Sequence, residues 1–462
     1  MSADPAALTA HVEGTVLGPD DDGYDEERTG FDLSVAQRPA LIVVATAADD
    51  VVAAVRHARD RGLPVAVQAT GHGITVPADD AVLITTHRVR AVTVDPTSRT
   101  AWVQAGSRWS EVIPEAARYG LAPLSGSAPG VGVVSYTLGG GVVVLGRRWG
   151  FAADHVRALE LVDAGGVLRH VTAHEHPDLF WALRGGGGSF GVVTAMQIEL
   201  VELTHVHGGG LFFPGEAARA VLGAVLATAA GAPDDLSLSV ALMVFPDLPA
   251  VPPALRGRHC CHVRVTWCGH PDGAEAAVAP LRGVATPLLD TVRRMPVTEI
   301  GSIHNDPTRP IATNSRSSVL HTADEDLVDT VLTHATPDCP YIVELRHLGG
   351  ALARQPAVPN AVGHRSGAVS VYTPSYPAPP QAAAAVRESE GHLFDDLAPW
   401  SDGGALVNFL AGAHVTADDV RACYEPEIWS RLVEVKTTWD PGNTFRINHN
   451  VPPDVTPVRS PG

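Results

Sequence analysis

The chain reads Gln68-Ala69-Thr70-Gly71-His72-Gly73-Ile74 directly after the strand-like run at 63–67. A histidine between two glycines at the end of a strand predicts a tight turn, because glycine adopts backbone conformations that other residues avoid. The backbone of such a turn can approach a ligand closely. His72 alone would also fit an ordinary loop histidine, so its interpretation depends on the rest of the chain.

Two glycine-rich segments lie downstream of this turn. The chain reads Gly130-Val131-Gly132-Val133-Val134-Ser135-Tyr136-Thr137-Leu138-Gly139-Gly140-Gly141 and then Gly185-Gly186-Gly187-Gly188-Ser189-Phe190-Gly191-Val192-Val193. A backbone with few side chains leaves its N–H groups free to bind pyrophosphate oxygens. A Rossmann fingerprint is disfavoured, since its third glycine would fall on Ser135 and no clear strand immediately precedes Gly130.

These segments resemble the vanillyl-alcohol oxidase superfamily, and in particular its berberine bridge enzyme-like branch. The resemblance extends over most of the chain and includes Trp439-Asp440-Pro441-Gly442-Asn443-Thr444-Phe445-Arg446-Ile447-Asn448-His449-Asn450 near the C-terminus. It implies an α+β fold, in which a PCMH-type FAD-binding domain is followed by a second α+β substrate domain. The substrate domain would consist of an antiparallel sheet covered by helices.

The texture of the chain changes near residue 205. Residues 41–204 read as strands alternating with short helices, whereas long Ala-rich helices at 216–230, 324–334 and 381–397 alternate with strands at 236–245, 259–267 and 341–348. We therefore predict an FAD-binding domain at 1–204, with its core at about 36–204, and a substrate domain at 205–424. By resemblance, residues 425–462 return to the FAD-binding domain.

The resemblance implies FAD bound covalently to His72. It places the 130–141 segment at the diphosphate, Ala153-Asp154-His155-Val156 beside the isoalloxazine ring, and the 188–193 segment at the adenosine part. The residues expected to bind the cofactor are His72, Ala69, Thr70, Gly71, Gly73, Ile74, Gly130, Val131, Gly132, Tyr136, Thr137, Gly139, Gly140, Gly141, Ala153, Asp154, His155, Val156, Gly188, Gly191, Val192, Val193, Asn448 and Asn450.

Two positions depart from the family pattern. Members with a second flavin bond carry a cysteine where this chain is interpreted to have Ala153, so only the His72 bond is expected. Many oxidases of the branch also use the tyrosine of a Tyr-x-Asn motif as catalytic base, and Leu406 stands at that position, two residues before Asn408. Leucine cannot accept a proton, so another group would serve as base or the chemistry would differ.

Replacement bases are sought on the predicted strand at 341–348, which by resemblance lies above the flavin. Alternation puts Glu344 and Arg346 on one face and His347 on the other, and only one face can look at the ring. We favour His347 as the catalytic base, because its ordinary pKa suits proton transfer near neutrality. Glu344 and Tyr372 are the other candidates, and a buried structural histidine is an equally good interpretation of His347.

Composition limits the partners. With 51 acidic and 33 basic residues the net charge is −18, which disfavours nucleic acid and anionic membranes. The chain has neither a membrane-length apolar run nor a secretion signal, which predicts a cytoplasmic protein. The odd number of cysteines fits no disulfide scaffold. Cys260, Cys261, His262, Cys268 and His270 invite a zinc interpretation, but strand alternation divides them between two faces, and no metal is expected.

The expected function is that of an FAD-dependent oxidoreductase. It would oxidise a small or medium organic molecule, such as a secondary metabolite, by hydride transfer to flavin N5, with dioxygen as electron acceptor. The alternative is a cyclase that holds its substrate in shape above a structural flavin without net redox change. The sequence leaves the substrate and the oligomeric state open.

Overall fold

The structure is a computed structural model that describes residues 5–376 and 382–454. In this part of the chain, none of the helices combines the length and apolar character needed to cross a membrane. Part of the predicted C-terminal segment falls outside the described residues, as does residue 381 at the start of the helix predicted at 381–397.

Nineteen strands are present in the described residues. They are β1 (Thr15–Leu17), β2 (Leu41–Val44), β3 (Val65–Gln68), β4 (Val82–Thr85), β5 (Val92–Asp95), β6 (Thr100–Gln104), β7 (Leu121–Ala122), β8 (Val156–Val162), β9 (Leu168–Thr172), β10 (Val192–Glu199), β11 (Val201–Glu202), β12 (His205–Pro214), β13 (Leu236–Val244), β14 (His259–Trp267), β15 (Leu289–Asp290), β16 (Arg293–Pro296), β17 (Asn314–Leu320), β18 (Val343–His347) and β19 (Val369–Ser375).

Thirteen α-helices and several short 3-10 turns connect the strands of the same residues. The helices are α1 (Pro5–Thr9), α2 (Tyr24–Arg28), α3 (Ala48–Arg61), α4 (Trp109–Ala117), α5 (Val133–Leu138), α6 (Gly146–Trp149), α7 (Pro177–Ala182), α8 (Ala218–Ala230), α9 (Ala274–Arg282), α10 (Glu325–His334), α11 (Ala382–Asp396), α12 (Ala417–Arg421) and α13 (Pro426–Trp439).

The first sheet contains four strands in the order β1-β2-β4-β3. Strands β2, β4 and β3 are parallel, and α3 covers them with its buried apolar residues Val51, Val55 and Ala58. Helix α3 is capped at its C-terminus by Gly62, whose φ of 67° is one that glycine adopts without strain. Because β3 ends at Gln68, the 69–74 turn lies at the carboxyl edge of this sheet.

The second sheet is antiparallel, with the order β5-β6-β10-β8-β9. Buried residues of β8 and β10, including Leu159 and Met196, join α4, α5 and α7 in one large apolar cluster. The two glycine-rich segments lie next to this sheet: α5 lies within the first, and β10 follows directly after the second.

The third sheet is antiparallel and has eight strands, in the order β15-β12-β14-β13-β18-β19-β17 with β16 beside β12. Helices α8, α9, α10 and α11 cover one face, where Leu345 of β18 and Val371 of β19 join their apolar residues. Strand alternation turns Glu344 and Arg346 to the opposite face. The mixture of helices with mainly antiparallel sheets agrees with the predicted α+β class.

The C-terminal part packs against the first sheet and the second glycine-rich segment. The N–H of Val65 in β3 donates to the carbonyl of Thr444 (2.9 Å). Nζ of Lys436, the only lysine in the chain, is fully buried and donates to the carbonyl of Ser189 (2.6 Å) and the carboxylate of Asp440 (2.7 Å). These contacts accord with the expected return of the chain, while the boundaries at 204 and 424 remain predictions.

Candidate active site

A cavity of about 460 Å³ lies between the loops of the first two sheets and the helix-free face of the third. Small-molecule and cofactor sites span roughly 300–1,000 Å³. One side, the loop wall, comes from segments within 65–76, 126–142, 187–193 and 445–449. The other side, the sheet wall, comes from Arg264, Glu344, Arg346, Tyr372 and Tyr376. The cavity therefore brings together residues from the whole length of the chain.

The turn at 69–74 forms part of the loop wall, and its shape depends on Gly71. Gly71 has a φ of 68°, and a Cβ there would lie 2.5 Å from the Cα of Gly30, so a side chain is excluded. The N–H of Phe31 donates to the carbonyl of Thr70 (2.9 Å), which ties the turn to the N-terminal segment. This tie holds His72 at the edge of the cavity.

The imidazole of His72 is fixed on two sides. Its ring stacks on the ring of Phe31 with centroids 3.9 Å apart, and its Nδ1 forms a hydrogen bond of 2.8 Å with the hydroxyl of Thr70. Burial and, secondarily, the charge of Arg108 lower the pKa of His72 from 6.5 to about 4. The imidazole is therefore neutral at physiological pH, which leaves a nitrogen lone pair available for bond formation.

The first glycine-rich segment is held by an asparagine from the far end of the chain. Oδ1 of Asn408 accepts from the N–H of Gly141 (2.8 Å), and Nδ2 donates to the carbonyl of Tyr136 (3.0 Å). Val131, Tyr136 and Gly139 line the cavity. The phenol oxygen of Tyr136 is buried and has no hydrogen-bond partner among the described residues, so it is available to a ligand.

Two glycines expose their backbone to the cavity: Gly73 in the 69–74 turn and Gly187 in the second glycine-rich segment. Both line the cavity, and a Cβ at either position would meet no atom within 4 Å. Packing therefore does not fill the space beside these two residues. Gly188 and Asn448 lie next to each other, since Nδ2 of Asn448 donates to the carbonyl of Gly188 (3.3 Å).

Most of the sequence-predicted cofactor residues line the cavity. These are Ala69, Thr70, Gly71, His72, Gly73, Ile74, Val131, Tyr136, Gly139, Gly188, Gly191, Val192, Val193 and Asn448. The others from the glycine segments, together with Asn450, do not line it; these are Gly130, Gly132, Thr137, Gly140, Gly141 and Asn450. Gly141 supports the wall through its bond to Asn408.

Residues 153–156, predicted to run beside the isoalloxazine ring, do not line the cavity. Ala153 is fully buried behind the wall, where its N–H donates to the carbonyl of Gly140 (2.9 Å). The carboxylate of Asp154 is held by Arg365 (2.6 Å), and Nδ1 of His155 pairs with Glu199 (2.7 Å). Val156 begins β8. None of the four lines the cavity. The two polar side chains among them, Asp154 and His155, form ion pairs outside it.

Ala128, in the turn at 126–131, lines the cavity. The sequence analysis missed it, although it immediately precedes Pro129 and the first glycine-rich segment. Leu406 does not line the cavity either, since it packs with Val142, Phe151 and Val362 in a small apolar cluster. The absence of a tyrosine at 406 therefore says little about the chemistry of the site.

Glu344 and Arg346 form the buried centre of the sheet wall. Nε and Nη2 of Arg346 donate to Oε1 of Glu344 (3.1 and 2.8 Å), and Nη1 of Arg264 lies 2.9 Å from Oε2. Burial raises the pKa of Glu344, but the charges of Arg346 and Arg264 outweigh burial and bring it well below the ordinary value. Glu344 is therefore ionised throughout the physiological range.

Tyr372 lies opposite Glu344 in the neighbouring strand, on the same face of the sheet. Its ring packs against that of Phe409 with centroids 4.6 Å apart, and it lines the cavity. Burial raises the pKa of Tyr372 above its ordinary value. Its phenol is thus protonated at neutral pH and can donate a hydrogen bond to a ligand.

His347, the favoured candidate for the catalytic base in the sequence, does not line the cavity. Its side chain lies on the helix-covered side, where Nε2 is 3.0 Å from Nη1 of Arg147. Burial, followed by the charge of Arg147, lowers the pKa of His347 to about 4. Residue alternation alone would let either face of β18 line the cavity. Because Val343 and Leu345 pack under the helices, the opposite face, with Glu344 and Arg346, lines it.

The sequence analysis also missed Arg264, Asp306 and Tyr376, which line the cavity. Arg264 lies in the strand that had been examined only for metal ligands. Alternation along β14 would have placed it on one face with His262, but no sequence signal paired β14 with β18 through β13. Among the described residues there is no group of three or more His, Cys, Asp or Glu side chains suited to bind a metal ion.

Comparison with known proteins supports the interpretation of the cavity. Residues 39–172 match the FAD binding domain family, and residues 420–452 match the berberine and berberine-like family. The chain is 29% identical over 477 residues to (R)-6-hydroxynicotine oxidase of Paenarthrobacter nicotinovorans, covering 97% of this chain and 98% of that protein. It is 40% identical over 174 residues to berberine bridge enzyme-like 3 of Arabidopsis thaliana, covering 36% of this chain and 32% of that protein.

Comparison with solved structures identifies proteins of the same fold. The fold matches the crystal structure of 6-hydroxy-D-nicotine oxidase from Arthrobacter nicotinovorans with a TM-score of 0.82 and 25% identity, covering 95% of this chain and 98% of the other. It matches Physcomitrella patens BBE-like 1 with a TM-score of 0.81 and 18% identity, covering 96% and 97%. The predicted PCMH-type FAD-binding fold is confirmed.

The protein is thus an FAD-dependent oxidoreductase that acts on a small molecule. The chain is similar over nearly its whole length to an FAD-linked oxidase, and two of its segments match the FAD binding domain family and the berberine and berberine-like family. The loop wall fits the cofactor, because Gly73 and Gly187 leave the backbone open to the cavity. In addition, the buried phenol of Tyr136 has no hydrogen-bond partner among the described residues and can bind a ligand.

Proposed function

We propose that FAD is attached covalently to His72 and that this is its only covalent link. The neutral imidazole of His72 lines the cavity, and stacking on Phe31 fixes its position before any bond forms. Ala128 and Ala153 supply no thiol. None of the five cysteines, Cys260, Cys261, Cys268, Cys339 and Cys423, is among the residues that line the cavity. His72 therefore offers a nucleophilic nitrogen to the cofactor, whereas no cysteine does.

The proposed reaction is the oxidation of a small or medium organic molecule. FAD held by the loop wall would supply the hydride acceptor for the substrate carbon, with dioxygen as the final electron acceptor and hydrogen peroxide as the product. The protein contributes the sheet wall, which positions the substrate over the open backbone of the loop wall. A substrate from secondary metabolism remains part of the proposal.

We assign the substrate's proton to Tyr372. The two oxygens of Glu344 already face Arg346 and Arg264, so this carboxylate is poorly placed to take a further proton. Tyr372 lies directly opposite Glu344 in the neighbouring strand, and it lines the cavity. In its phenolate form, Tyr372 accepts a hydrogen bond from the O–H or N–H group of the substrate and takes that proton as the adjacent carbon gives up its hydride.

Covalent attachment is tested by acid precipitation of the purified enzyme. Flavin should stay with the precipitated protein and with a peptide containing His72, because only a covalent bond survives denaturation. His72→Ala should release all flavin into the supernatant. The matched control is His174→Ala, a change at an exposed histidine that should keep the linked flavin. Release of all flavin from the wild type would refute the covalent proposal.

Redox chemistry is tested by mixing the enzyme anaerobically with candidate alcohols and amines. A substrate should bleach the flavin absorbance, and admission of air should restore it with formation of peroxide. Conversion of a substrate with unchanged flavin absorbance would instead support the cyclase alternative. Leu406 no longer favours that alternative, since position 406 does not line the cavity.

A further inference from the structure

The sheet wall buries two positive charges against one negative charge. The side chains of Arg264, Glu344 and Arg346 are 7%, 6% and 12% exposed. Both guanidiniums face the same carboxylate, so the three residues carry a net charge of +1. A buried charge without a counter-charge is costly, and a second anion in contact with the arginines would stabilise the site.

The hydrogen-bond donors of Arg264 remain available. Its Nε and Nη1 are buried without a hydrogen bond of acceptable geometry among the described residues, although Nη1 lies 2.9 Å from Oε2 of Glu344. Arg346 commits Nε and Nη2 to Oε1 of Glu344. A buried donor without a partner is costly, so an oxygen-rich ligand group in this position would be strongly favoured.

The other titratable groups nearby do not supply the missing negative charge. Asp306 lines the cavity but is half-exposed and forms no ion pair within the described part of the chain. Its effect on Arg346 is weaker than that of Glu344. Burial lowers the pKa of His262 and of His304 well below the ordinary value, so these two side chains are neutral and add no further positive charge.

We propose that the substrate carries an anionic oxygen group, a carboxylate or a phenolate, that binds Arg264 and Arg346 in the sheet wall. This inference rests on the proposed oxidation in the same cavity and specifies its substrate class. Arginine suits the task because its planar guanidinium presents two parallel N–H groups to an anionic oxygen pair. Glu344 pairs with both guanidiniums, neutralises one of their two charges and competes with the substrate anion for their donors.

A water molecule is the competing partner for Arg264. A cavity of about 30 Å³ behind the wall is lined by Arg264, Arg346 and Ser239, and it is large enough for one water. In that case the arginines would serve only to neutralise Glu344, and the cavity would not distinguish an anion from a neutral molecule of the same shape.

The experiment compares benzoate with benzamide, which has nearly the same shape but no charge, by titrating the holoenzyme and following the flavin absorbance. Benzoate should bind at least tenfold more tightly. Arg264→Gln should weaken benzoate binding roughly 10- to 100-fold and change benzamide binding less than threefold, because only the charge-assisted bond is lost. Arg264→Lys keeps the charge but not the fork, and its loss should be intermediate.

Glu344→Gln provides the opposite change. It frees the donors of both arginines and should strengthen benzoate binding while leaving benzamide unaffected. Arg316→Gln is the matched control, since it removes one positive charge of the same sheet outside the cavity. Flavin content and thermal unfolding of every variant verify folding.

Equal affinities for benzoate and benzamide in the wild type, or equal losses of both in Arg264→Gln, would overturn the proposal in favour of the buried water. A Glu344→Gln variant without tighter benzoate binding would also contradict it. These titrations require bound flavin but no turnover. Failure of the proposed oxidation would instead appear as the absence of anaerobic bleaching.

Discussion

Consecutive residues of β18 point to opposite faces of the eight-stranded sheet, and burial has opposite consequences for the side chains on the two faces. On the helix-covered face, Leu345 joins Val343 and Val371 in an apolar cluster, and His347 is neutral. On the cavity face, Glu344 and Arg346 are as deeply buried but charged and paired. Burial alone therefore does not separate core from site. The charged groups that line a cavity mark the face that binds the ligand.

The strongest test of this difference is a pair of substitutions in neighbouring strands. Tyr372→Phe should slow anaerobic flavin reduction by about 10²- to 10⁴-fold, because the acid–base group on the cavity face is lost. His347→Gln, on the helix-covered face, should change the rate less than threefold. Stopped-flow absorbance measures both rates. The reverse pattern would mean that the active face is assigned incorrectly.

The pH dependence of the wild type sharpens the same assignment. Since only the phenolate of Tyr372 can accept a proton, and burial raises the pKa of this group above 10.0, the phenolate fraction grows with pH across the neutral range. Flavin reduction at saturating substrate should therefore accelerate up to tenfold per unit from pH 6 to pH 9. A plateau beginning near pH 7 would exclude Tyr372 as the base.

The helix-covered face should respond in stability and not in catalysis. Leu345→Ala should lower the free energy of unfolding by about 2–5 kcal/mol, because it leaves a cavity in the apolar cluster. The reduction rate per folded, flavin-loaded molecule should be unchanged. Chemical denaturation measures the loss, with Leu248→Ala, at a 55% exposed position, as control. A large catalytic defect at full flavin content would show that the two faces are coupled.

Glu390 of α11 is a buried carboxyl group on the helix-covered side, and it lacks the arginine pairing of Glu344. Its two oxygens are buried without a hydrogen bond of acceptable geometry among the described residues, and burial raises its pKa from 4.5 to about 7. A raised pKa means that its protonated form stabilises the fold. This contribution is complete below about pH 4.5 and is lost as the pH rises through 7.

Glu390→Gln, which mimics the protonated form, should therefore stabilise the protein at pH 8 by on the order of 2–3 kcal/mol and have little effect at pH 4.5. Thermal unfolding at the two pH values measures the difference. Glu388→Gln, at an exposed position of the same helix, should show no such pH dependence. An equal effect of Glu390→Gln at both pH values would indicate a charged Glu390 with a partner.

The sequence alone determined the α+β class, the family resemblance and most of the loop wall. Those features depend on contiguous motifs, since the Gly71-His72-Gly73 turn and the glycine runs carry their backbone conformations locally. The helix ending at Gly62 and the strand His259–Trp267 were predictable for the same reason, because a glycine cap and residue alternation act over a few positions.

Only the tertiary structure decided the sheet wall and the exclusion of residues 153–156. Alternation divides β18 into two faces but does not say which face the helices cover, and this choice turned Glu344 to the cavity and His347 away from it. Arg264 reaches Glu344 because β13 lies between β14 and β18, an arrangement that brings together residues 80 positions apart. Asp154 lies outside the cavity, where it pairs with Arg365, a residue distant in the sequence that no local pattern identifies as its partner.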